Sequence, residues 1–264
     1  MADFDIANLT HAGRKRGNEP NQDSLLVLPA EVDRGLNPLI LVADGMGGHV
    51  GGAVASRMVV EAIVARYQQS PPGEDPLVLL GDCLQSAVEA LRLHADQNPE
   101  LASMGSTVVL AILGDGRASV ANIGDSRAYL IHEGNMTQVS LDHSVVAEQV
   151  RRNIISPQEA HSHPLRNRLT QSLSPRRAEI IPHIVQVPFT RDDTLVLCSD
   201  GLWGVIPESM LQVVANELPP AEACKKLVQL AMDAGGPDNI TVILARHTGE
   251  RPTPPNGEGD DTSG

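Results

Sequence analysis

The stretch from Leu39 to Ser56, Leu-Ile-Leu-Val-Ala-Asp-Gly-Met-Gly-Gly-His-Val-Gly-Gly-Ala-Val-Ala-Ser, constrains the fold more than any other part of the chain. Its first five residues are an unbroken apolar run that stops at Asp44, the pattern of a buried strand with a carboxylate at its end. Gly45, Gly47, Gly48, Gly51 and Gly52 follow, so the backbone can reach positive φ and approach a ligand closely before a helical pattern begins at Ala53. Taken alone, this is also the pattern of an ordinary strand-turn-helix connection. No Gly-Lys-Ser/Thr closes the loop, so it is not a Walker phosphate loop, and the spacing is not a dinucleotide fingerprint. A carboxylate beside a backbone carbonyl suits Mg²⁺ or Mn²⁺, and such a site requires further carboxylates.

Residues 4–10 alternate as an opening strand. The basic loop Gly13-Arg14-Lys15-Arg16-Gly17 leads through Asn21-Gln22-Asp23 into a strand from Ser24 to Leu28. Antiparallel pairing of that strand with Leu39 to Ala43 places Asp23 beside Asp44 at one edge. The loop arginines read either as a solvated turn or as a bidentate grip on an oxyanion. Helical spacing runs from Ala53 to Tyr67, a Pro/Gly-rich break covers Ser70 to Pro76, and a second amphipathic helix ends near Asn98. These two helices are expected on one sheet face, with His94 as ordinary helix decoration.

Further along, a strand to Leu113 and one from Ala118 to Ile123 flank the turn Gly114-Asp115-Gly116, a hairpin signal. The second strand runs into Gly124-Asp125-Ser126-Arg127, and Ala128 to His132 continue as another strand. Asp142-His143-Ser144 opens a helical run through Val150, and Ser156-Pro157-Gln158-Glu159 reads as a capped helix start. His161 and His163 lie among loop formers without cysteine, a weak transition-metal pattern, and the segment reads as a mobile insertion over the site. The sheet resumes over Glu179 to Val187. Asp193 to Ser199 form an apolar strand ending at Asp200-Gly201-Leu202-Trp203, which repeats the design around Asp44. A helix spans Ala221 to Met232, and Gly235-Gly236-Pro237-Asp238-Asn239 leads into a last strand, Ile240 to Arg246. Beyond Thr248 the chain has the composition of a disordered tail.

Asp23, Asp44, Asp125, Asp200 and Asp238 thus all fall at strand termini. Clustered carboxylates repel one another unless cations sit between them, which favours a multinuclear site of hard metals. Ions about 3.5–4 Å apart can activate a bridging water and neutralise a phosphoryl group. The formal net charge of −13 argues against nucleic acid, and aromatic content of 2% removes the stacking platforms of single-strand binders. No apolar run approaches the roughly 20 residues of a membrane span, and the first residues lack the regions of a signal peptide. With Cys83, Cys198 and Cys224 widely spaced and read as reduced buried thiols, the chain is expected to be cytoplasmic.

Asn21-Gln22-Asp23, Val42 to His49, Gly52 to Ser56, Met104-Gly105-Ser106-Thr107, Gly124 to Arg127, Asp142-His143-Ser144, Ser199 to Trp203 and Pro237 to Thr241 occur in this order. Together they resemble the metal-dependent protein serine/threonine phosphatases of type 2C in their compact bacterial form, over about residues 4 to 246. The resemblance implies an α+β fold, an α/β/β/α sandwich of two antiparallel β-sheets flanked by helices. It makes 1–248 the catalytic domain, with a flap at about 142–173 that influences substrate choice, and 249–264 a tail.

Carried over by position, Asp44 would bridge both metals, with the Gly45 carbonyl on one of them. Asp200 and Asp238 would complete the other shell, Asp125 with Asp200 would hold a third ion, and Asp23 would bind directly or through water. The chain departs from its relatives at three points. Gln22 stands where many have Glu. Asn18 stands where the phosphate-contacting Arg is usual, so Arg16, with Arg14 as the reserve, is the candidate for that contact. Met46 stands where some have a His acting as leaving-group acid, a role left to His49 or to metal-bound water. The implied activity is hydrolysis of phosphoserine and phosphothreonine by a bridging metal-bound water, with two Mn²⁺ or Mg²⁺ ions and no phosphoenzyme. The implied partners are phosphorylated proteins and a bacterial Ser/Thr protein kinase, and a monomer is expected. A pseudo-phosphatase binding module and a small-metabolite phosphatase are the alternatives.

Overall fold

The computed structural model describes residues 4–14, 19–177 and 179–249, with the backbone alone at 49 and 50. Strands run over Phe4–His11 (β1), Asp23–Leu28 (β2), Leu39–Met46 (β3), Gly105–Ser106 (β4), Val108–Gly114 (β5), Arg117–Ile123 (β6), Arg127–His132 (β7), Asn135–Gln138 (β8), His183–Pro188 (β9), Thr194–Cys198 (β10) and Ile240–His247 (β11). Helices cover Gly48–Gln68 (α1), Pro76–Gln97 (α2), Val145–Arg151 (α3), Pro157–Ser162 (α4), Asp200–Trp203 (α5), Glu208–Glu217 (α6) and Pro220–Asp233 (α7). One sheet has the order β1-β11-β10-β7-β8 and the other β2-β3-β5-β6-β9, with β4 paired to β3. Every pairing is antiparallel.

The uninterrupted apolar character of the central strands follows from burial on both faces. In β3, Leu39, Leu41 and Ala43 pack with α1 and α2, while Ile40 and Val42 point at the other sheet. In β11, Ile243 and Ala245 join that inter-sheet layer, while Ile240, Val242 and Leu244 pack with α6 and α7. The result is the α/β/β/α sandwich, with α1 and α2 on one outer face and α6 and α7 on the other.

Several sequence expectations shift. The helix expected from Ala53 begins at Gly48, so Gly51 and Gly52 lie inside its early turns rather than in a loop. The strand expected from Glu179 begins at His183, just after Pro182, which has no N–H to give to a sheet. Helix α6 was not anticipated. The capped start at Ser156 is a full capping box: Glu159 N donates to the Ser156 hydroxyl, and Ser156 N donates to the Glu159 carboxylate. The tail expected from 249 onward lies, apart from Gly249, outside the described residues.

Candidate metal centre

Strand register brings the acidic residues together. Asp23 and Asp44 are direct partners across the β2–β3 ladder. Asp125 follows Ile123 at the end of β6, whose partner Val108 opens β5 beside the end of β3. In the other sheet, Cys198 at the end of β10 pairs with Val242 near the start of β11. Asp200 and Asp238 therefore flank the same end of the sandwich, at the junction of both sheets.

Two Asp-Gly junctions show why glycine is required there. A Cβ on Gly45 would sit 1.9 Å from the Gly52 carbonyl oxygen, because the first turns of α1 press against the end of β3. A Cβ on Gly201 would sit 1.9 Å from the Asn239 carbonyl oxygen, where the β10 exit passes the turn before β11. In both places another backbone occupies the space of a side chain.

The ring is held by hydroxyls and amides. Ser199 Oγ and Thr241 Oγ1 donate to Asp23 Oδ2 at 2.8 and 2.7 Å. Thr241 thereby uses its one hydroxyl proton, so it accepts from Thr10 Oγ1 at 2.7 Å, which accepts from Asn21 Nδ2 at 2.8 Å. Gly45 N donates to Gln22 O at 3.0 Å, and Gln22 N donates to Asn239 Oδ1 at 2.9 Å. Ser106 Oγ and Thr107 N both donate to the Asp44 carbonyl, at 2.9 and 2.8 Å.

The electrostatics are those of crowded acid groups. Burial pushes the Asp23 carboxyl up to about 6, partly offset by the bonds from Thr241 and Ser199, while the charge of Asp238 adds to the rise. Asp44 is pushed well above the usual carboxylate range by burial and then by the charges of Asp23, Asp200, Asp125 and Asp238. Burial and the charge of Asp142 push Asp125 up to about 6. Without a cation these groups take up protons more readily than ordinary carboxylates.

The donor set fits hard divalent cations. All its side-chain donors are carboxylate oxygens, and Asp23 Oδ1 is buried without a hydrogen-bond partner among the described residues. Among those residues no three acidic, imidazole or thiol side chains close into a cage of their own. Mg²⁺ keeps several waters in protein sites, so it needs few side-chain oxygens.

Asp125 is gripped from two sides. Gly124 N donates to His143 Nδ1 at 3.1 Å, and His143 N donates to the Gly124 carbonyl at 2.9 Å. Burial, then Arg151 and His183, lower the pKa of His143, which favours the neutral imidazole that accepts from Gly124 N at Nδ1. Trp203 Nε1 donates to the Asp125 carbonyl at 2.9 Å. Arg127 stacks 3.6 Å above the Trp203 ring and binds Asp142 with Nε and a terminal nitrogen, the latter at 2.7 Å. The other terminal nitrogen donates to Tyr129 Oη at 2.8 Å and Glu208 Oε1 at 3.1 Å. Sequence reasoning quoted these motifs but gave Arg127, Asp142 and Trp203 no role, and it missed Ser199 and Thr241. A neutral hydroxyl in a strand carries no sequence mark of its partner.

Arg16 and Asn18 lie outside the described residues, as does the side chain of His49, whose backbone is in the first turn of α1. Arg14 N donates to Gly236 O at 2.8 Å, tying the basic loop to the turn that carries Asp238. The Arg14 guanidinium is exposed, 4.0 Å from Asp233. Met46 ends β3 opposite Gly105. His161 and His163 lie on or beside α4 and join none of the site's acids in a metal-binding group.

The family described as Protein phosphatase 2C matches residues 12–244. Serine/threonine protein phosphatase PstP of Mycobacterium tuberculosis is 36% identical over 208 residues, 78% of this chain and 40% of that protein. The chain therefore spans less than half the length of that relative. Serine/threonine phosphatase stp of Listeria monocytogenes is 36% identical over 211 residues, covering 78% of this chain and 83% of its own. The crystal structure of the PstP catalytic domain in complex with two manganese ions superposes with a TM-score of 0.83 at 30% identity, over 94% of this chain and 100% of the other.

Proposed function

Since the chain belongs to the protein phosphatase 2C family, we propose that it is a metal-dependent protein phosphatase that removes phosphate from phosphoserine and phosphothreonine. Its substrates would be phosphorylated proteins, and it would oppose a bacterial Ser/Thr protein kinase. The observation that carries this reading is the pairing of Asp23 with Asp44 across β2 and β3, at the sheet junction flanked by Asp125, Asp200 and Asp238. Relatives at 36% identity carry the name serine/threonine phosphatase, and a neighbour of the same fold holds two manganese ions.

Asp44 would be shared by two Mn²⁺ or Mg²⁺ ions, with the Gly45 carbonyl on one of them. Asp200 and Asp238 would complete the shell of the other, Asp23 would bind directly or through water, and Asp125 with Asp200 would serve a third ion. Such ions supply a water of lowered pKa and neutralise charge on the phosphoryl oxygens. The chain's own part is to fix the geometry. Ser199 and Thr241 orient Asp23 through Oδ2 and leave Oδ1 to a ligand. Ser106 and Thr107 lock the backbone of Asp44. Arg16 is assigned to hold phosphate oxygens bidentately, and His49 to donate a proton to the leaving hydroxyl. Residues 1–248 are the proposed catalytic unit, acting as a cytoplasmic monomer. No helix among the described residues is long and apolar enough to cross a membrane.

The test is phosphate release from a phosphothreonine peptide against Mn²⁺ concentration, for the wild type and Asp200→Asn. Release that requires the metal and collapses in the variant supports the assignment. No release at any Mn²⁺ or Mg²⁺ level, from folded protein that binds the peptide, overturns it in favour of a phosphoprotein-binding module.

A further inference from the structure

The segment 142–177 has a charge opposite to that of the rest of the chain. It carries six of the 20 Lys and Arg residues, but three of the 33 Asp and Glu, in a protein of net charge −13. Two of its arginines serve the fold: Arg151 donates to the Asp142 carbonyl at 2.9 Å, and Arg177 to the Thr170 carbonyl at 2.6 Å. The others, Arg152, Arg166, Arg168 and Arg176, are exposed, and none has a salt bridge among the described residues. Two of the larger exposed apolar side chains lie in the same segment, Ile154 at 63% and Leu165 at 38%. Arginines beside exposed aliphatic groups are the composition of a contact surface rather than of a solvated loop.

The segment is also rooted at the metal centre. One root is His143, bonded to both backbone groups of Gly124, next to Asp125. The other is Leu173, which exchanges both backbone bonds with Ser106, the residue whose hydroxyl holds the Asp44 carbonyl. Between the roots, Val145 N donates to Arg168 O and Thr170 N to His143 O. An acidic chain is repelled by most of this protein and attracted at the segment flanking the site.

We propose that Arg152, Arg166, Arg168 and Arg176, with Ile154 and Leu165, form a docking surface for an acidic stretch flanking the phosphorylated residue of a protein substrate. The proposal rests on the phosphatase reading for what is docked, and its test separates the two. Each exposed ion pair is worth up to about fivefold in affinity, so several acting together give a preference of about tenfold or more at low ionic strength. That preference shrinks as salt screens the pairs.

The experiment measures binding of two fluorescent phosphothreonine peptides to the full chain with metal chelated, one flanked by Asp and Glu and one by Ser and Ala. Phosphate release is measured in parallel with Mn²⁺. The wild type is expected to bind the acidic peptide about tenfold more tightly, with a steeper salt dependence. Replacing the four arginines by Glu should bring the ratio to one or below, and replacing them by Lys should retain most of it. Equal binding of both peptides, a ratio that survives the Glu substitutions, or tighter binding of an RNA oligomer than of the acidic peptide would each overturn the docking surface. Acid-dependent binding without phosphate release would instead overturn the phosphatase reading and leave the surface standing.

Discussion

The pair Arg127–Asp142 can be broken with a single atom group changed, in Asp142→Asn. The two side chains are 14% and 9% exposed, and they share a terminal-nitrogen bond of 2.7 Å and two Nε contacts of 3.1 Å. Removing one partner of a buried ion pair costs about 3–5 kcal/mol, because the remaining charge stays out of water. Glu208 remains 3.1 Å from Arg127, but its carboxylate is 57% exposed and returns no more than about 1 kcal/mol. The expected loss is thus about 2–4 kcal/mol, or roughly 5–15 °C in Tm for a domain of this size. The assay is a double-mutant cycle of Asp142→Asn and Arg127→Met by urea unfolding with metal chelated, so that ion binding does not enter. The double variant should recover about 1.5 kcal/mol or more against the sum of the singles. Losses below about 1 kcal/mol in each single, or additivity within about 0.5 kcal/mol, would refute the reasoning. Because Asp142 precedes His143 and Arg127 stacks on Trp203, both grips on Asp125 should loosen, and Asp142→Asn should require more Mn²⁺ for half-maximal activity.

Three further outcomes are expected. Asp23 and Asp125 are pushed up to about 6, so at pH 5 the metal-free native chain holds protons that the unfolded chain has lost. Their contribution to stability is present at low pH and falls as pH rises from about 4 through 6. Thermal scans with chelator should show this fall, less of it in Asp23→Asn, and a Mn²⁺ stabilisation that grows over the same range as ions displace the protons; a Mn²⁺ effect independent of pH would contradict it. Arg16→Met should lower kcat/KM for a phosphopeptide by about 10²–10³-fold, while Arg14→Met should cost less than about fivefold, since its guanidinium is exposed near Asp233; the reverse ranking would move the phosphate contact to Arg14. Burial pushes the thiols of Cys83, Cys198 and Cys224 up to about 12, so titration with a thiol reagent near pH 8 should find none in the native protein and all of them after unfolding.

How much of this was legible in the sequence depended on range. The strand ends at Asp44 and Asp200 could be read because an apolar run buried on both faces must break where the chain leaves the sheet. The pairing of Asp23 with Asp44 followed because consecutive strands pair. The start of α1 was misplaced because the glycines of the motif suggested a loop. Gly52 is instead helical, and a Cβ there would lie 2.4 Å from Gln22 Oε1, a demand set by a segment 30 residues away. Helix α6 does show Leu211, Val214 and Ala215 at helical spacing, but it is short. Arg127, Asp142 and Trp203 meet through contacts spanning up to 76 residues of chain between β7 and α5, beyond the reach of any local pattern. The charge reversal of 142–177 needed no structure; its tether to the site did.

The joints that fasten this segment to the metal centre have a consequence for divergence. The exchange between Ser106 and Leu173 and the bond from His143 N to the Gly124 carbonyl are main-chain joints, and Val145 to Arg168 and Thr170 to His143 close the segment's base in the same way; of the root bonds, only the one from Gly124 N to the His143 imidazole needs a particular side chain. What lies between them can therefore be rewritten without moving Asp44 or Asp125. If the docking role proposed above holds, the insert would behave as a cassette: rewriting it would change substrate preference while the acidic site stays in place.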